Sequence, residues 1–330
     1  ILPKGITILP LKQYLQSNTL QQYQLLMQNL HPIPCHNQIR KISALSLSNW
    51  FERLLVNRWE RKSQEWIPYL QLYKNDWKQM LYLKLAHNFG FNSNSAAFLE
   101  LAISIPLHIL ELHRKNLLQL EALLFGQAGW LERNNADQYS NQLEKEYHFL
   151  RRKYDLTPIN NTLWKFMRMR PVNFPTIRLA QFAMLIHKSH MLFSKFIEMD
   201  DYQNILELLD VSASEYWNTH YRLNEDSKHD SIKHLGYDAI MNIYINTVIQ
   251  MQYWYQTHSG TSLKKSIDLG NLIASMHTIR PEQNKIIQQW KNIGVQCVSS
   301  AESQALIELF NEYCVNKRCL ECNIGNKILR

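Results

Sequence analysis

Turn-forming chemistry is scarce in this chain, which holds only 9 Gly and 10 Pro in 330 residues while carrying 12 Phe, 16 Tyr and 9 Trp. A sandwich, barrel or propeller needs turn residues after each short strand. The shortage therefore excludes a strand-rich architecture and leaves helix as the state of most of the chain. With 45% hydrophobic against 19% charged residues, the chain can bury one sizeable core or two modest ones, and it is not disordered. The expected fold is all-α, an irregular multi-helix bundle.

Only Ile6-Thr7-Ile8-Leu9-Pro10-Leu11 alternates as a strand does, and a lone strand lacks partners. Residues 1–12 are read as the remnant strand and linker of an upstream domain missing from this chain. Residues 13–330 are read as a single helical domain with a soft boundary at the polar stretch 224–230. Helical periodicity covers 13–28, and the turn-rich loop His31-Pro32-Ile33-Pro34-Cys35-His36 follows. Asn49, three residues before Glu52, is expected to cap a long helix whose core-facing stripe is Trp50, Leu54, Leu55, Trp59 and Trp66. Asn75 is expected to cap a helix ending at Gly90, and Asn94 to open another running towards Pro106. Gly129 should close 117–128 in the left-handed conformation. Residues 136–153 read as an exposed, charge-laced helix, and periodicity returns over 176–196, 200–209, 212–221, 236–258, 281–293 and 300–314. Pro281 suits a first helical turn and Gly294 the position just past an end.

Lys plus Arg number 36 against 28 Asp plus Glu, and the resulting +8 favours an anionic partner such as nucleic acid or a lipid headgroup. No apolar run approaches the roughly 20 residues that cross a bilayer, and no signal-peptide pattern opens the chain. Five Cys, an odd count, do not form the even framework of a small secreted scaffold. These features together place the chain in a reducing cytoplasm with no membrane partner.

The sharpest chemical signal is Cys314-x4-Cys319-x2-Cys322, just after the last helical segment. Three thiolates at that spacing can converge on one ion, and a C-x-x-C turn offers two sulfurs to zinc or to an iron–sulfur cluster of the 4Fe–4S type. Lys317 and Arg318 would offset thiolate charge. A fourth ligand is needed, with Cys35 in the 31–36 loop the first choice ahead of Cys297 and a nearby His. The competing reading is that these are small buried thiols.

A second cluster runs from Lys165 to Arg178, where Lys165, Arg168, Arg170 and Arg178 crowd a Pro-bounded loop containing Asn173 and leading into a helix near Thr176. Arginines beside a helix start suit a phosphate or carboxylate. The alternative is that they pair with acidic residues of the bundle and hold the loop. His187-x-x-His190, the Trp217-His220-Tyr221 group and Tyr253-Trp254-Tyr255 read better as ordinary packing. No P-loop, G-x-G-x-x-G, G-x-S-x-G or paired-carboxylate motif stands out, so no catalytic residue is evident.

The segments Glu121-Ala122-Leu123-Leu124-Phe125-Gly126-Gln127-Ala128-Gly129, Arg170-Pro171-Val172-Asn173-Phe174-Pro175-Thr176-Ile177-Arg178-Leu179, Gln304-Ala305-Leu306-Ile307 and 314–325 together resemble the bacterial domain-of-unknown-function family 2851. The resemblance covers essentially the whole chain. It implies an upstream part, absent here, with a G-P-D-F motif and an E-x-H motif in a PD-(D/E)xK nuclease-like fold, whose carboxylates would hold a divalent ion that activates water. The family's cysteine pattern carries over to Cys314, Cys319 and Cys322, and less securely to Cys35. Gln250 stands where the family suggests Pro, which should straighten its helix. The expected function is a helical accessory domain of a nuclease-like protein, stapled by a Cys-ligated metal and positioning DNA or RNA. The alternative is a non-enzymatic scaffolding module with structural Arg and Cys residues, and a third reading places a small-molecule enzyme pocket between Arg178 and Trp217.

Overall fold

A computed structural model describes residues 18–131, 137–198, 202–260 and 269–329. In chain order the helices begin with α1 (Thr19–Gln28), α2 (Ala44–Gln64), α3 (Ile67–Leu72), α4 (Trp77–Phe89), α5 (Phe91–Ser104), α6 (Leu107–His113), α7 (Leu117–Gln127), α8 (Gln138–Tyr154) and α9 (Pro175–Lys188). They continue with α10 (Leu192–Glu198), α11 (Tyr202–Leu209), α12 (Tyr237–Ile243), α13 (Gln250–His258), α14 (Leu269–Thr278), α15 (Lys285–Asn292), α16 (Ser300–Glu308) and α17 (Asn323–Leu329). Among the described residues the one sheet is a hairpin of β1 (His220–Arg222) and β2 (Glu225–Asp226), with His220 opposite Asp226 and Arg222 opposite Glu225. The fold is thus mostly helical, as the shortage of turn residues requires. The strand expected at Ile6 to Leu11 lies outside the described residues.

The chain divides into two compact units. One gathers the described residues up to Arg61 with those from Gly270 onward, and the other is Lys62–Leu269. In the first, α1 lies beside α17, with the Thr19 hydroxyl donating to the Leu329 carbonyl at 3.1 Å. Trp50, Leu54, Ile287, Trp290, Leu306 and Leu309 fill the core between them. Glu308, only 2% exposed, is held by Arg58 Nη1 at 3.3 Å and by Arg61 Nε at 2.9 Å. In the second unit α7 is buried along most of its length and packs on α8 and α9, while α4 packs on α5. The polar stretch 224–230 falls within this unit and includes β2.

Helix ends depart from the sequence reading wherever a capping residue is used elsewhere. The helix expected from Asn49 starts at Ala44, because the Ser43 hydroxyl accepts the Ser46 N–H at 3.4 Å, and it stops at Gln64 before Trp66. Asp76, not Asn75, caps α4, its carboxylate accepting from Lys78 N at 3.0 Å and Gln79 N at 3.1 Å. Asn75 is instead left-handed at φ 64°. Asn94 lies buried inside α5 and grips the Lys165 backbone from both sides, accepting its N–H at 2.8 Å and donating to its carbonyl at 2.9 Å. Asn284 caps α15, so Pro281 precedes the helix, while Gly129 (φ 76°) and Gly294 (φ 91°) are left-handed as expected.

Two segments read as continuous helix are not. Residues 176–196 break after Lys188, and Met191 turns left-handed at φ 58° before α10 begins. Residues 212–221 form a 3-10 turn, Glu215–Asn218, and then β1. Helix is denied there by tertiary partners: Ser212 bridges His234, and the Ser214 hydroxyl donates to Glu121 at 2.7 Å. The stretch from Tyr237 to His258 is helical throughout but widens into a π-turn over Tyr244–Ile249, just before Gln250.

Candidate functional site

In the first unit a π-helical turn, Leu309–Cys314, extends α16 and ends on Cys314. The chain then turns back through Cys319 and Cys322 into α17. Cys35 stands in the turn between α1 and α2, its carbonyl accepting from Gln38 N at 2.9 Å and Ile39 N at 3.0 Å. All four thiols are free and buried in one apolar cluster. Burial first, then Cys322 and Cys319, push the Cys35 thiol up to about 12. Burial, then Cys35, Cys322 and Cys319, push Cys314 far above the usual thiol range. Cys297 is buried too, but it is raised to about 11 by burial first and Glu302 second, with no cysteine acting on it. The electrostatic neighbours are therefore Cys35, Cys314, Cys319 and Cys322, while Cys297 shares their apolar cluster without a cysteine acting on it.

Sequence reasoning missed the N–H groups around Cys322. Burial raises that thiol, while the backbone N–H groups of Gly325 and Ile324 and the Trp50 indole N–H favour its thiolate. Trp50 Nε1 is buried beside this sulfur and forms no hydrogen bond of its own, so its N–H acts on the thiol through its dipole. Gly325 permits this approach, because a Cβ there would overlap the Cys319 carbonyl oxygen. Burial and then Cys322 raise the Cys319 thiol, which Lys317 only partly opposes, and the Arg318 guanidinium is tied to Glu321. Among the described residues no three His, Cys, Asp or Glu side chains already converge as metal ligands. Four cysteine sulfurs in one apolar cluster are the soft donor type that zinc or an iron–sulfur cluster takes.

The second cluster lies in the second unit. The Asn94 clamp fixes the Lys165 backbone, and the side chains of Lys165, Arg168 and Arg170 are exposed. Arg168 is left-handed at φ 61°. None of these three side chains forms an ion pair among the described residues. Arg178 is different: it is 8% exposed, donates to Asn173 Oδ1 at 2.6 Å and Gln181 Oε1 at 3.0 Å, and lies 4.7 Å from the Phe91 ring centre. Its Nε is buried without a partner, and burial alone lowers its pKa to about 10. The acidic partners that would have made these arginines simple loop fasteners are absent among the described residues. Neutral amides and a ring hold Arg178 instead, which also ties down Asn173.

Arg222 joins this edge from β1. Its guanidinium sits 4.7 Å from the Phe166 ring centre and 5.1 Å from that of Phe174, with Glu225 at 3.6 Å. Trp130, Phe166, Thr176, Arg222, Leu223 and Glu225 line a cleft of about 180 Å³. Trp130 packs 4.7 Å from Trp164 and 6.0 Å from Phe166. Arg222 carries no sequence signal, because the rings it faces, Phe166 and Phe174, lie far away along the chain.

The remaining motifs are structural. His187 Nδ1 pairs with the Arg114 carbonyl at 2.7 Å, and Arg114 Nη1 donates to the His187 carbonyl at 3.3 Å. Trp217 is fully buried, stacked 5.1 Å from Phe125, so it cannot wall an open pocket with Arg178. Trp254 is buried against Trp77 at 5.0 Å, with Tyr255 on the same ring at 5.1 Å. Glu121, which sequence reading passed over, is buried, and burial raises it to about 7 against the hydrogen bond from Ser214 and the polar influence of Tyr139 and Trp217.

Fold and sites together define a mainly helical protein with a buried four-thiol cluster in one unit and a basic, aromatic edge in the other. The chain belongs to the family described as Protein of unknown function (DUF2851), which matches residues 3–285. Cys35 and the 165–178 loop fall inside that match, and the terminal cysteines lie beyond it. No curated protein and no solved structure matches the chain. Among the described residues no single helix is long and apolar enough to cross a membrane.

Proposed function

We propose that this protein is a nucleic-acid-positioning helical module, stapled by a metal held on Cys35, Cys314, Cys319 and Cys322, that works beside the nuclease-like part the resemblance implies. One observation carries the reading: Lys165, Arg168 and Arg170 stand exposed with no acidic partner among the described residues, beside an aromatic cluster faced by Arg222. Unpaired guanidinium groups beside the half-buried rings of Phe166 and Phe174 are the chemistry that tracks a phosphate backbone. When bound, a zinc ion or 4Fe–4S cluster supplies a cross-link between the turn after α1 and the hook before α17. The residues' own part is to present four thiols, with the Gly325 and Ile324 backbone N–H groups and the Trp50 indole favouring the Cys322 thiolate.

Fluorescence anisotropy with labelled single-stranded and duplex DNA and RNA tests this. Three or four phosphate contacts to a single strand should give a log K against log salt slope of about −2 to −3. Flat anisotropy at low salt with every oligonucleotide would overturn it. The inward fastening of Arg178 and Asn173 favours a second reading, a scaffolding module with structural arginines, and under that reading all four titrations stay flat.

A further inference from the structure

We infer that the second unit holds a binding site for an amphipathic anion, an acyl chain ending in a carboxylate, in the cavity bounded by α4, α6, α9 and α10. The inference does not depend on the nucleic-acid reading, since none of its residues belongs to the 165–178 edge.

Helical periodicity runs unbroken through 176–196, yet the chain breaks between α9 and α10 and sets Met191 at φ 58°. A left-handed non-glycine residue costs about 1–3 kcal/mol and persists where the surroundings impose it. The break opens a cavity of about 490 Å³ with Leu85, Leu107, Phe182 and Ile186 on its walls. Small-molecule sites typically span about 300–1,000 Å³ and are lined mainly by apolar side chains with a few polar groups, as this cavity is.

Two polar features show what would fill it. The Ser189 hydroxyl lines the cavity, is 3% exposed and has no hydrogen-bond partner. An unmade buried hydrogen bond costs about 1–3 kcal/mol, so a donor left this way calls for an acceptor that is not part of the chain. The second feature is the charge of the lining, where Lys78, Arg114 and Lys115 face a single acid, Glu111. Arg114 gives one N–H to the His187 carbonyl, and neither lysine has an ion pair among the described residues. His190 also lines the cavity and would add positive charge if protonated. Apolar walls with a cationic lining select a ligand with an apolar body and an anionic end.

The test is isothermal titration of the full chain with decanoate, with decanol and inorganic phosphate as comparison arms. Decanoate should bind once per chain and about tenfold more tightly than decanol, as a charge-assisted contact requires. Phosphate alone should bind more weakly than decanoate. Leu85→Trp and Ile186→Trp fill the cavity and should abolish binding. The surface pair Lys78→Glu with Lys115→Glu should weaken decanoate about tenfold and leave decanol and the melting temperature unchanged. The inference is overturned by no saturable binding of decanoate up to about 1 mM, by equal affinity for decanoate and decanol, by phosphate binding as tightly as decanoate, or by indifference of decanoate to the lysine reversals.

Discussion

Glu121 offers a quantitative check on the packing of the second unit. Its carboxyl sits in α7 at 2% exposure, and burial raises it from an ordinary 4.5 to about 7. Ser214 donates to it at 2.7 Å and the Tyr139 and Trp217 side chains lie beside it, but they do not offset the loss of water. The sign follows from linkage. The folded state holds this proton more tightly than the unfolded state, so the group's stabilising contribution is fully present below pH 4.5 and is lost as pH rises through 7. At 1.36 kcal/mol per unit, the gap corresponds to about 3 kcal/mol carried as a penalty at pH 8. Glu121→Gln stays neutral at every pH, and its amide oxygen can still accept from Ser214. The variant should match the parent near pH 4.5 and exceed it by about 3 kcal/mol at pH 8, a rise of roughly 6–12 °C for a unit of this size. Thermal denaturation of both proteins at pH 4.5, 6, 7 and 8 reads the difference. A difference that does not change with pH, or a variant less stable than the parent at pH 8, would refute the reasoning.

Other perturbations address the first unit. Glu308→Ala should cost at least about 3 kcal/mol, because it leaves Arg58 and Arg61 without the buried carboxylate that holds them; a loss under about 1 kcal/mol in urea denaturation would show the pair to be replaceable by water. Protein purified without oxygen should carry about one zinc per chain by elemental analysis, or the brown absorbance of a cluster, and metal-free protein with four freely titratable thiols would end the staple. Trp50→Phe removes the indole N–H that lies beside Cys322 and favours its thiolate, and should speed metal loss to a chelator while leaving helix content unchanged. Gly325→Ala drives a methyl into the Cys319 carbonyl and should destabilise by about 2 kcal/mol or more.

How much of this was legible in sequence depends on whether a residue's job is local. The helices were, because a shortage of Gly and Pro with apolar periodicity is itself a local property. Their ends were less so: Asn94 reads as a cap, yet it spends its amide on Lys165, and Ser214 falls within the helical-looking 212–221, yet it serves Glu121. The cysteine hook was visible as spacing, and Cys35 stood out through its turn-rich loop. Trp50, by contrast, reads as one more core aromatic, since only tertiary packing brings its N–H to Cys322. The arginines of the 165–178 loop were visible as a cluster, but whether acids answered them was not, because such partners come from distant segments. Arg222 was hidden for the same reason, its partners Phe166 and Phe174 lying far away in sequence.

The central claim is that the 165–178 edge engages a phosphate backbone, and the most direct test is the anisotropy titration repeated with Arg168→Glu and Arg170→Glu together. Both side chains are exposed and without ion pairs among the described residues, so the double variant should fold and melt as the parent does. Its affinity for a single-stranded oligonucleotide should fall by at least about tenfold at low salt, with a salt slope shallower by about 1.4, the share of two phosphate contacts. Unchanged affinity and slope in a variant of normal stability would contradict the account.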